Sequence, residues 1–354
     1  MEKVLEKSSL PAFFDDLQKK ARVVGAVRKG GITAHAYLSF GFAEKLEDIV
    51  LDYKTTTVAP KKLFIPDSEA LFSFKRKDGD IILGNLASKP DEKRVLLGIH
   101  PCDITALSRL DKVFDEVYRD PYYKNKRENT IVVGLTCSEP AHLCFCKSVG
   151  SGPDLNKGFD LLMTDIGRSY FVKVGSKSGE KLTKKTYFRE ATQADKSKRI
   201  AVIERLEQQL RSSFSIDGLI ETMRRRYNDK AWDSYSNRCV TCGICNMVCP
   251  TCHCFAVLDK TNADQTEGKR VRVWDSCHFE RFSRMAGGLD LRESKASRFK
   301  HRLYDKFDYT PARYGDVFCV GCGRCIKFCQ SEIDLRDALR TLQEGALSEK
   351  PLHT

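Results

Sequence analysis

The stretch that decides the fold of the C-terminal third is Cys239-Val-Thr-Cys242-Gly-Ile-Cys245-Asn-Met-Val-Cys249-Pro250. Its spacing, C-x2-C-x2-C-x3-C-P, returns without the proline in Cys319-Val-Gly-Cys322-Gly-Arg-Cys325-Ile-Lys-Phe-Cys329. These two runs are the only internal repeat in the sequence. Thiols clustered at regular spacing indicate metal binding rather than a disulfide framework.

This spacing is typical of ferredoxins that hold two [4Fe–4S] clusters. In these proteins the first three cysteines of a run bind one cluster, and the fourth crosses to the other. We therefore predict two sites, called site 1 and site 2. Site 1 consists of Cys239, Cys242, Cys245 and Cys329, and site 2 consists of Cys319, Cys322, Cys325 and Cys249. Gly243 and Gly323 would let the backbone approach the cluster sulfides.

Zinc is the alternative occupant of the cysteine runs, because zinc also uses C-x2-C pairs. A zinc ion needs two such pairs, and it has no use for a third evenly spaced cysteine followed by a fourth three residues on. Two matching runs therefore favour clusters.

The two runs are separated by an insertion, residues 250–318, of about 69 residues between Cys249 and Cys319. It contains Cys252, Cys254 and Cys277, with His253, Trp274 and His278 nearby. The three thiols are either buried structural groups or ligands of something further. Since no clear fourth ligand accompanies them, we favour the structural interpretation.

Four more cysteines lie outside the C-terminal part. They are Cys102, Cys137, Cys144 and Cys146. The apolar runs at 95–99 and 131–135 read as strands, and each is followed by a cysteine, a common place for chemistry in α/β folds. Four thiols suit a third [4Fe–4S] cluster, here site 3. The spacing is not a general motif, so inert buried cysteines are the alternative.

Polar residues beside the cysteines have predicted supporting roles. We expect His100 to hydrogen bond behind site 3 rather than bind metal, and Asp103 to cap the helix that starts at Ile104. Arg238, Arg324 and Lys327 flank the runs; they either favour the reduced clusters or are simply solvated. No dinucleotide, P-loop or nucleophile motif occurs, so we predict no catalytic residues.

The rest of the chain predicts an α+β protein of three parts. Residues 1–175 carry a helix at 8–21 and short apolar runs, as in a mixed α/β domain. Residues 176–236 form a linker with helices, beginning with a surface hairpin or linker at 176–200. Residues 237–354 form the split two-cluster domain, closed by a helix that Ser331 caps and Gly345 ends.

Composition limits the function further. The 354 residues are 41% hydrophobic, include 15 cysteines, and carry 60 Lys plus Arg against 48 Asp plus Glu, a formal charge of +12. No apolar run suits a membrane helix and the start shows no signal region, so we expect a cytoplasmic protein. The basic bias is either a solvated surface or a docking face for an acidic partner. No basic motif interleaved with aromatic residues suggests nucleic-acid binding.

The sequence resembles the beta subunit of cytosolic hydrogenase/sulfur reductase (sulfhydrogenase), and it is similar to the A subunit of anaerobic sulfite reductase. The resemblance covers nearly the whole chain. It rests on the segments Pro60-Lys-Lys-Leu-Phe-Ile-Pro66, His100-Pro-Cys-Asp-Ile-Thr-Ala-Leu107, Asp120-Pro-Tyr-Tyr123, Cys144-Phe-Cys146, Cys249-Pro-Thr-Cys-His-Cys-Phe255, Trp274-Asp-Ser-Cys277, Met285-Ala-Gly-Gly288 and Cys319-Val-Gly-Cys-Gly-Arg-Cys325.

The resemblance implies an electron-transfer subunit of a multi-subunit oxidoreductase. A flavin-containing, NAD(P)H-linked subunit would exchange electrons with it, and a catalytic subunit would receive or supply them. That catalytic partner is a nickel–iron hydrogenase in one branch and a siroheme sulfite reductase in the other. The His-Pro-Cys-Asp form favours the hydrogenase branch, and the matching segments that hold its cysteines favour a third cluster. Gln330-Ser331 departs from the Cys-Pro expected after Cys329.

Overall fold

A computed structural model describes residues 1–30, 36–85, 92–210 and 214–345. The strands are β1 (Glu2–Glu6), β2 (Arg22–Lys29), β3 (Tyr37–Phe42), β4 (Ser68–Lys77), β5 (Asp80–Asn85), β6 (Arg94–Ile99), β7 (Thr130–Leu135), β8 (Leu161–Asp165), β9 (Ser169–Val174), β10 (Phe188–Glu190), β11 (Phe255–Thr261) and β12 (Glu267–Trp274). The last nine residues of the predicted C-terminal domain, 346–354, lie outside the described part.

The helices, like the strands, are short. They are α1 (Leu10–Gln18), α2 (Pro101–Phe114), α3 (Pro121–Glu128), α4 (Lys177–Leu182), α5 (Gln193–Gln209), α6 (Leu219–Arg225), α7 (Ala231–Arg238), α8 (Ile244–Met247), α9 (Lys295–Tyr304), α10 (Thr310–Tyr314), α11 (Arg324–Lys327) and α12 (Leu335–Glu344). A π-helical turn, Asp305–Tyr309, joins α9 to α10. The predicted mixture of helices and strands is confirmed.

An eight-stranded mixed sheet forms the first half, in the order β10-β1-β9-β8-β7-β6-β2-β3. Its centre, β2, β6, β7 and β8, is parallel, and the outer pairs are antiparallel. Alternate residues of each central strand point to opposite faces. Val95 and Leu97 pack toward Phe13 of α1 on one face, whereas Leu96 packs toward Leu107 of α2 on the other. Helices therefore cover both faces.

A second sheet has four antiparallel strands in the order β11-β12-β4-β5. It joins the insertion to the first half, because β12 pairs with β4 along seven residues. Arg272 on β12 is buried, and its guanidinium binds the carboxylates of Glu69 on β4 and Asp120, the N-cap of α3. A buried cation needs such partners, so this network ties the second sheet to the start of α3.

Helices α6, α7, α9 and α12 enclose the core of the C-terminal part. Trp232 of α7 and Tyr304 of α9 are almost fully buried there, and Leu339 of α12 packs against the same cluster. Phe145, from the loop that carries Cys144 and Cys146, also enters this core and is fully buried. The cysteine loop of the first half is thus packed into the second half.

Two local predictions were wrong. Residues 176–200, expected as a surface hairpin or linker, contain α4, β10 and the first eight residues of α5, and β10 pairs with β1 as an edge strand of the large sheet. The closing helix starts at Leu335 rather than after Ser331, because the Asp334 carboxylate accepts the Arg336 N–H and caps it. Its end at Gly345, with φ of 78°, is as predicted. The division into three domains stays a prediction.

Candidate metal centres

Site 2 is a cavity lined by four thiols from both cysteine runs. Cys249 of the first run faces the same cavity as Cys319, Cys322 and Cys325 of the second. The remaining wall is mainly apolar and includes Phe145, Val320 and Phe307. This arrangement is the one expected if the fourth cysteine of the first run crosses to the second cluster. The assignment of individual ligands stays a prediction.

The first half of the chain holds the loop around site 2 in place. The guanidinium of Arg109 on α2 donates to the Cys319 carbonyl at 2.6 Å, and the Ser151 hydroxyl donates to the Val320 carbonyl at 2.7 Å. The Phe145 N–H donates to the Gly321 carbonyl at 2.8 Å. Three successive residues of the loop are therefore held by hydrogen bonds from the first half of the chain.

Glycine is required in this loop by packing as well as by conformation. Gly321 has φ of 59°, and a Cβ there would lie 2.5 Å from the backbone nitrogen of Cys146. Gly323, with φ of 72°, would place a Cβ 2.6 Å from the Leu143 carbonyl oxygen. From the sequence, Gly323 was expected to let the backbone approach a cluster sulfide. In the structure Gly323 also allows close contact with the loop of site 3.

Site 1 lies around α8 at the surface. The Thr241 N–H donates to the Cys239 sulfur at 3.4 Å, and the Ile333 N–H donates to the Cys329 sulfur at 3.3 Å. Burial, together with the nearby sulfurs of Cys329 and Cys242, raises the pKa of Cys239. The four predicted ligands of site 1 are thus neighbours. Cys242 is exposed, unlike the other eleven predicted cluster ligands.

Site 3 forms where two parallel strands end. Because β6 and β7 are neighbours, Cys102 at the start of α2 and Cys137 just beyond β7 reach the same edge of the sheet. One cavity is lined by all four N-terminal cysteines, Cys102, Cys137, Cys144 and Cys146. Cys322 of site 2 lines it too, and Leu206 and Leu210 cover it from the region of α5. The structure therefore brings these four thiols together in one cavity, whereas their spacing in the sequence did not decide whether they share a site.

Asp103 was assigned wrongly as a helix cap. The helix starts at Pro101, so Asp103 lies inside its first turn and is fully buried. Its carboxylate makes two hydrogen bonds of 2.6 Å with the guanidinium of Arg324. Arg324, which also donates to Thr56, is therefore neither solvated nor an unpaired charge. This buried ion pair joins α2 to α11, and hence the two halves of the chain.

His100 lies against site 3 in a different way from the one expected. Its ring is buried and stacks on Tyr53, with ring centroids 3.9 Å apart and an interplanar angle of 6°. Burial, with a smaller effect of Arg324, lowers the pKa of His100 to about 3. A neutral imidazole follows, and the contact found is stacking rather than the predicted hydrogen bond.

Burial makes the thiolate form of several site cysteines costly. It raises the pKa of Cys322 to about 12 and that of Cys146 to about 12, and it raises the pKa of Cys245 to about 11. Metal ligation requires the thiolate, and a bound metal centre supplies the positive charge that stabilises it. These donor sets therefore fit a cofactor that brings its own cations, as a [4Fe–4S] cluster does.

Buried cations beside site 2 support the same fit. Arg302 and Lys306 both line the cavity with the four thiols, and both are less than a tenth exposed. Lys61, also buried, donates to the carbonyls of Asn246 and Cys252. Cations are rarely buried without anionic partners, and an anionic cluster held by thiolates would be such a partner. None of these three cations was predicted from the sequence, although Arg302 and Lys306 are four residues apart, a spacing that places two side chains on one helix face.

The three cysteines of the insertion do not form one group. Cys252 lies beside Cys249 and 3.4 Å from the guanidinium of Arg302, whereas Cys254 lies beside Cys277. The amide of Asn246 donates to the Cys277 sulfur at 2.9 Å. Nowhere in the described ranges do three histidine, cysteine or carboxylate side chains converge to hold a single metal ion. The structural role of these thiols stays a prediction.

Comparison with known proteins gives this architecture a family. Residues 238–333 match the family described as a 4Fe-4S dicluster domain. The chain is 33% identical over 345 residues to sulfhydrogenase 2 subunit beta of Pyrococcus furiosus, covering 97% of this chain and 98% of that protein. The chain belongs to the sulfhydrogenase beta-subunit family. The resemblance noted in the sequence is thereby confirmed.

Membership of the sulfhydrogenase beta-subunit family makes the chain an iron–sulfur electron-transfer subunit of an oxidoreductase. No solved structure matches the chain. No helix of the described residues is long and apolar enough to cross a membrane.

Proposed function

We propose that this chain relays single electrons through three [4Fe–4S] clusters, at sites 1, 2 and 3. One end would exchange electrons with a flavin-containing, NAD(P)H-linked subunit, the other with the catalytic subunit of a cytosolic nickel–iron hydrogenase/sulfur reductase. The observation that carries the proposal is the contact between three four-thiol sites in a row. A thiol-rich chain of this kind suits the reducing cytoplasm.

The contacts between sites support a linear order. Cys322 lines both the cavity of site 2 and that of site 3, and the Cys144 sulfur is 3.8 Å from the Cys322 carbonyl oxygen. On the other side, α8 of site 1 packs on α11 of site 2. The thiols of Cys245 and Cys325 flank the same buried guanidinium, Arg302. The sites therefore follow the order 3, 2, 1.

The protein's part in such a relay is to hold, space and insulate the cofactors. A bound [4Fe–4S] cluster accepts or donates one electron, with a potential set by hydrogen bonds, charge and exposure. Backbone N–H groups of Thr241, Ile333 and Gly321 donate to cysteine sulfurs. Apolar walls such as Phe145 and Leu210 exclude water from sites 2 and 3.

The exposed Cys242 marks one terminus of the relay. Val240, in the same loop, is 59% exposed, so a partner could approach site 1 closely at this point. Sites 2 and 3 offer no thiol as exposed as Cys242. We therefore propose that site 1 meets one partner subunit directly.

Two alternatives keep the fold but change the chemistry. In the first, the chain would serve an anaerobic sulfite reductase, and its catalytic partner would carry siroheme. In the second, the chain itself would reduce a sulfur compound, with Cys252, Cys254 or Cys277 taking part. The second is favoured only by the two thiol contacts of the insertion.

The test uses the complex purified through this chain, with wild-type chain, Cys137→Ser or Cys254→Ser. We expect Cys137→Ser to abolish electron transfer between NAD(P)H and hydrogen while each partner still reacts with an artificial dye. Cys254→Ser should retain transfer. Undiminished transfer in Cys137→Ser would contradict the relay. Reduction of sulfite or polysulfide by the isolated holo-chain with a viologen would favour the second alternative.

A further inference from the structure

Lys306 is a buried ammonium that points into a site of thiols. It is 3% exposed and lines the site 2 cavity. Its Nζ makes no hydrogen bond within the described chain. The carboxylate near it is Asp305, at 3.4 Å, and that side chain is 30% exposed. Burying an ammonium that has no hydrogen-bond partner costs free energy unless the cavity holds a strong anion.

The local backbone fixes Lys306 in that position. It belongs to the π-helical turn Asp305–Tyr309, and such turns often occur at functional sites. Its carbonyl accepts the Phe318 N–H at 2.8 Å, one residue before Cys319. The turn that carries Lys306 is therefore tied to the cysteine run it faces.

Arg302 adds a second unbalanced charge, four residues earlier. Its guanidinium donates to the Asn246 side-chain oxygen at 2.9 Å and lies 3.4 Å from the Cys252 sulfur. Both contacts are to uncharged or thiol groups rather than to carboxylates. A guanidinium stays protonated in proteins even when it is buried. Arg302 thus keeps its charge beside site 2.

Among the described residues around site 3 there is no comparable excess of buried positive charge, because Asp103 neutralises the buried Arg324. Site 1 is nearest the solvent, where Arg238 and Lys327 are exposed and screened. A reduced cluster carries one more negative charge than an oxidised one. Arg302 lies between sites 1 and 2, beside Cys245 as well as Cys325, whereas Lys306 lines the site 2 cavity. Lys306 is therefore the cation that favours reduction at site 2 over the other two sites.

We propose that Lys306, with Arg302 shared between sites 1 and 2, gives site 2 the highest reduction potential of the three sites, so that an electron in the relay stays longest at the middle site. This rests on the proposed three-cluster function. The basic residues that the sequence singled out, Arg238, Arg324 and Lys327, are not the ones that set the potential.

The experiment is a potentiometric titration of the anaerobic full-length holo-chain, followed by electron paramagnetic resonance. Lys306→Met should make reduction of the first-reduced cluster about tenfold less favourable, a fall of about 59 mV for one electron. Lys327→Met removes the same charge from the exposed end of α11 and serves as the matched control. We expect its potentials to match those of the wild type.

Asp305→Asn supplies a change of opposite sign at a partly exposed position. It removes the carboxylate that faces Lys306, so the same cluster should become easier to reduce. The proposal is overturned if Asp305→Asn leaves that potential unchanged, or if Lys327→Met shifts it as much as Lys306→Met does. If Lys306→Met loses the cluster, the effect of Asp305→Asn on the reduction potential still tests the proposal by itself.

Failure of this inference is distinguishable from failure of the proposed function. Iron and sulfide content of the wild type, measured on the same samples, reports how many clusters the chain holds. If three clusters are present and the first reduction potential is the same in Lys306→Met, Asp305→Asn and the wild type, only the role of the cations is overturned. A wild type with fewer than three clusters overturns the three-cluster relay itself.

Discussion

At the scale of single residues, the most informative contact is the ion pair between Arg324 and Asp103. Both side chains are about 1% exposed, and both were assigned other roles from the sequence. The sequence shows that Arg324 lies between two cysteines and that Asp103 follows Cys102. It gave no sign that residues 221 positions apart in the chain meet. Pairwise contacts across such separations depend on the complete fold.

Arg324→Met should destabilise the protein by roughly 3–5 kcal/mol, because it leaves the Asp103 carboxylate buried without a partner. Urea unfolding of the anaerobic protein measures this cost as a lower midpoint at unchanged slope. The double variant Arg324→Met with Asp103→Leu should recover much of the loss, since an apolar pair replaces the ion pair. A single variant as stable as the wild type would mean that the pair does not join the two halves.

A second prediction at this scale concerns electron exchange at the surface. Val240→Asp puts a negative charge beside the exposed Cys242 and should slow electron exchange with the partner at site 1. The iron content should stay unchanged. Val117, 85% exposed in the loop after α2, provides the matched control Val117→Asp. Stopped-flow mixing of the reduced chain with its partner measures the rates. Equal rates in the two variants would argue against docking at site 1.

At the scale of elements, prediction succeeded where the pattern was local. The strands before Cys102 and Cys137 are β6 and β7, and the helix predicted at 8–21 is α1, from Leu10 to Gln18. It failed where partners are distant in sequence. The polar segment 176–200 gains its order from β1 and the large sheet, and the insertion gains its order by pairing β12 with β4. Strand propensity is weak beside such tertiary contacts.

The loop of site 2 offers a test of elements in contact. Gly321→Ala would force a Cβ to 2.5 Å from the Cys146 nitrogen, so the loops of sites 2 and 3 must separate. We expect the variant to lose several kcal/mol of stability and part of its iron. Gly315→Ala has the same kind of backbone strain, φ of 76°, but nothing within 4 Å of the new Cβ. It should cost only about 1–2 kcal/mol.

Thermal unfolding and iron analysis compare the two glycine variants directly. If Gly315→Ala loses as much iron as Gly321→Ala, backbone strain is the cause. Contact between the two cysteine loops would then have no role.

At the scale of the whole molecule, the sequence shows how many cysteines there are, but it does not show how the folded chain groups all of them. Run spacing was enough to predict sites 1 and 2, because three proposed ligands of each cluster are close in sequence. Site 3 draws on two strand ends, and only the parallel pairing of β6 and β7 brings Cys102 and Cys137 together. The buried cations were not predicted, because nothing in the sequence shows that Arg302 and Lys306 face the cysteines of site 2 in the folded chain.

The three-cluster relay is tested most directly by iron and acid-labile sulfide per chain, with electron paramagnetic resonance during reductive titration. The anaerobic wild type should contain about twelve irons in three [4Fe–4S] centres, and Cys137→Ser about eight. About eight irons in the wild type, unchanged in Cys137→Ser, would contradict site 3 and break the relay. Zinc in place of iron would contradict the account as a whole.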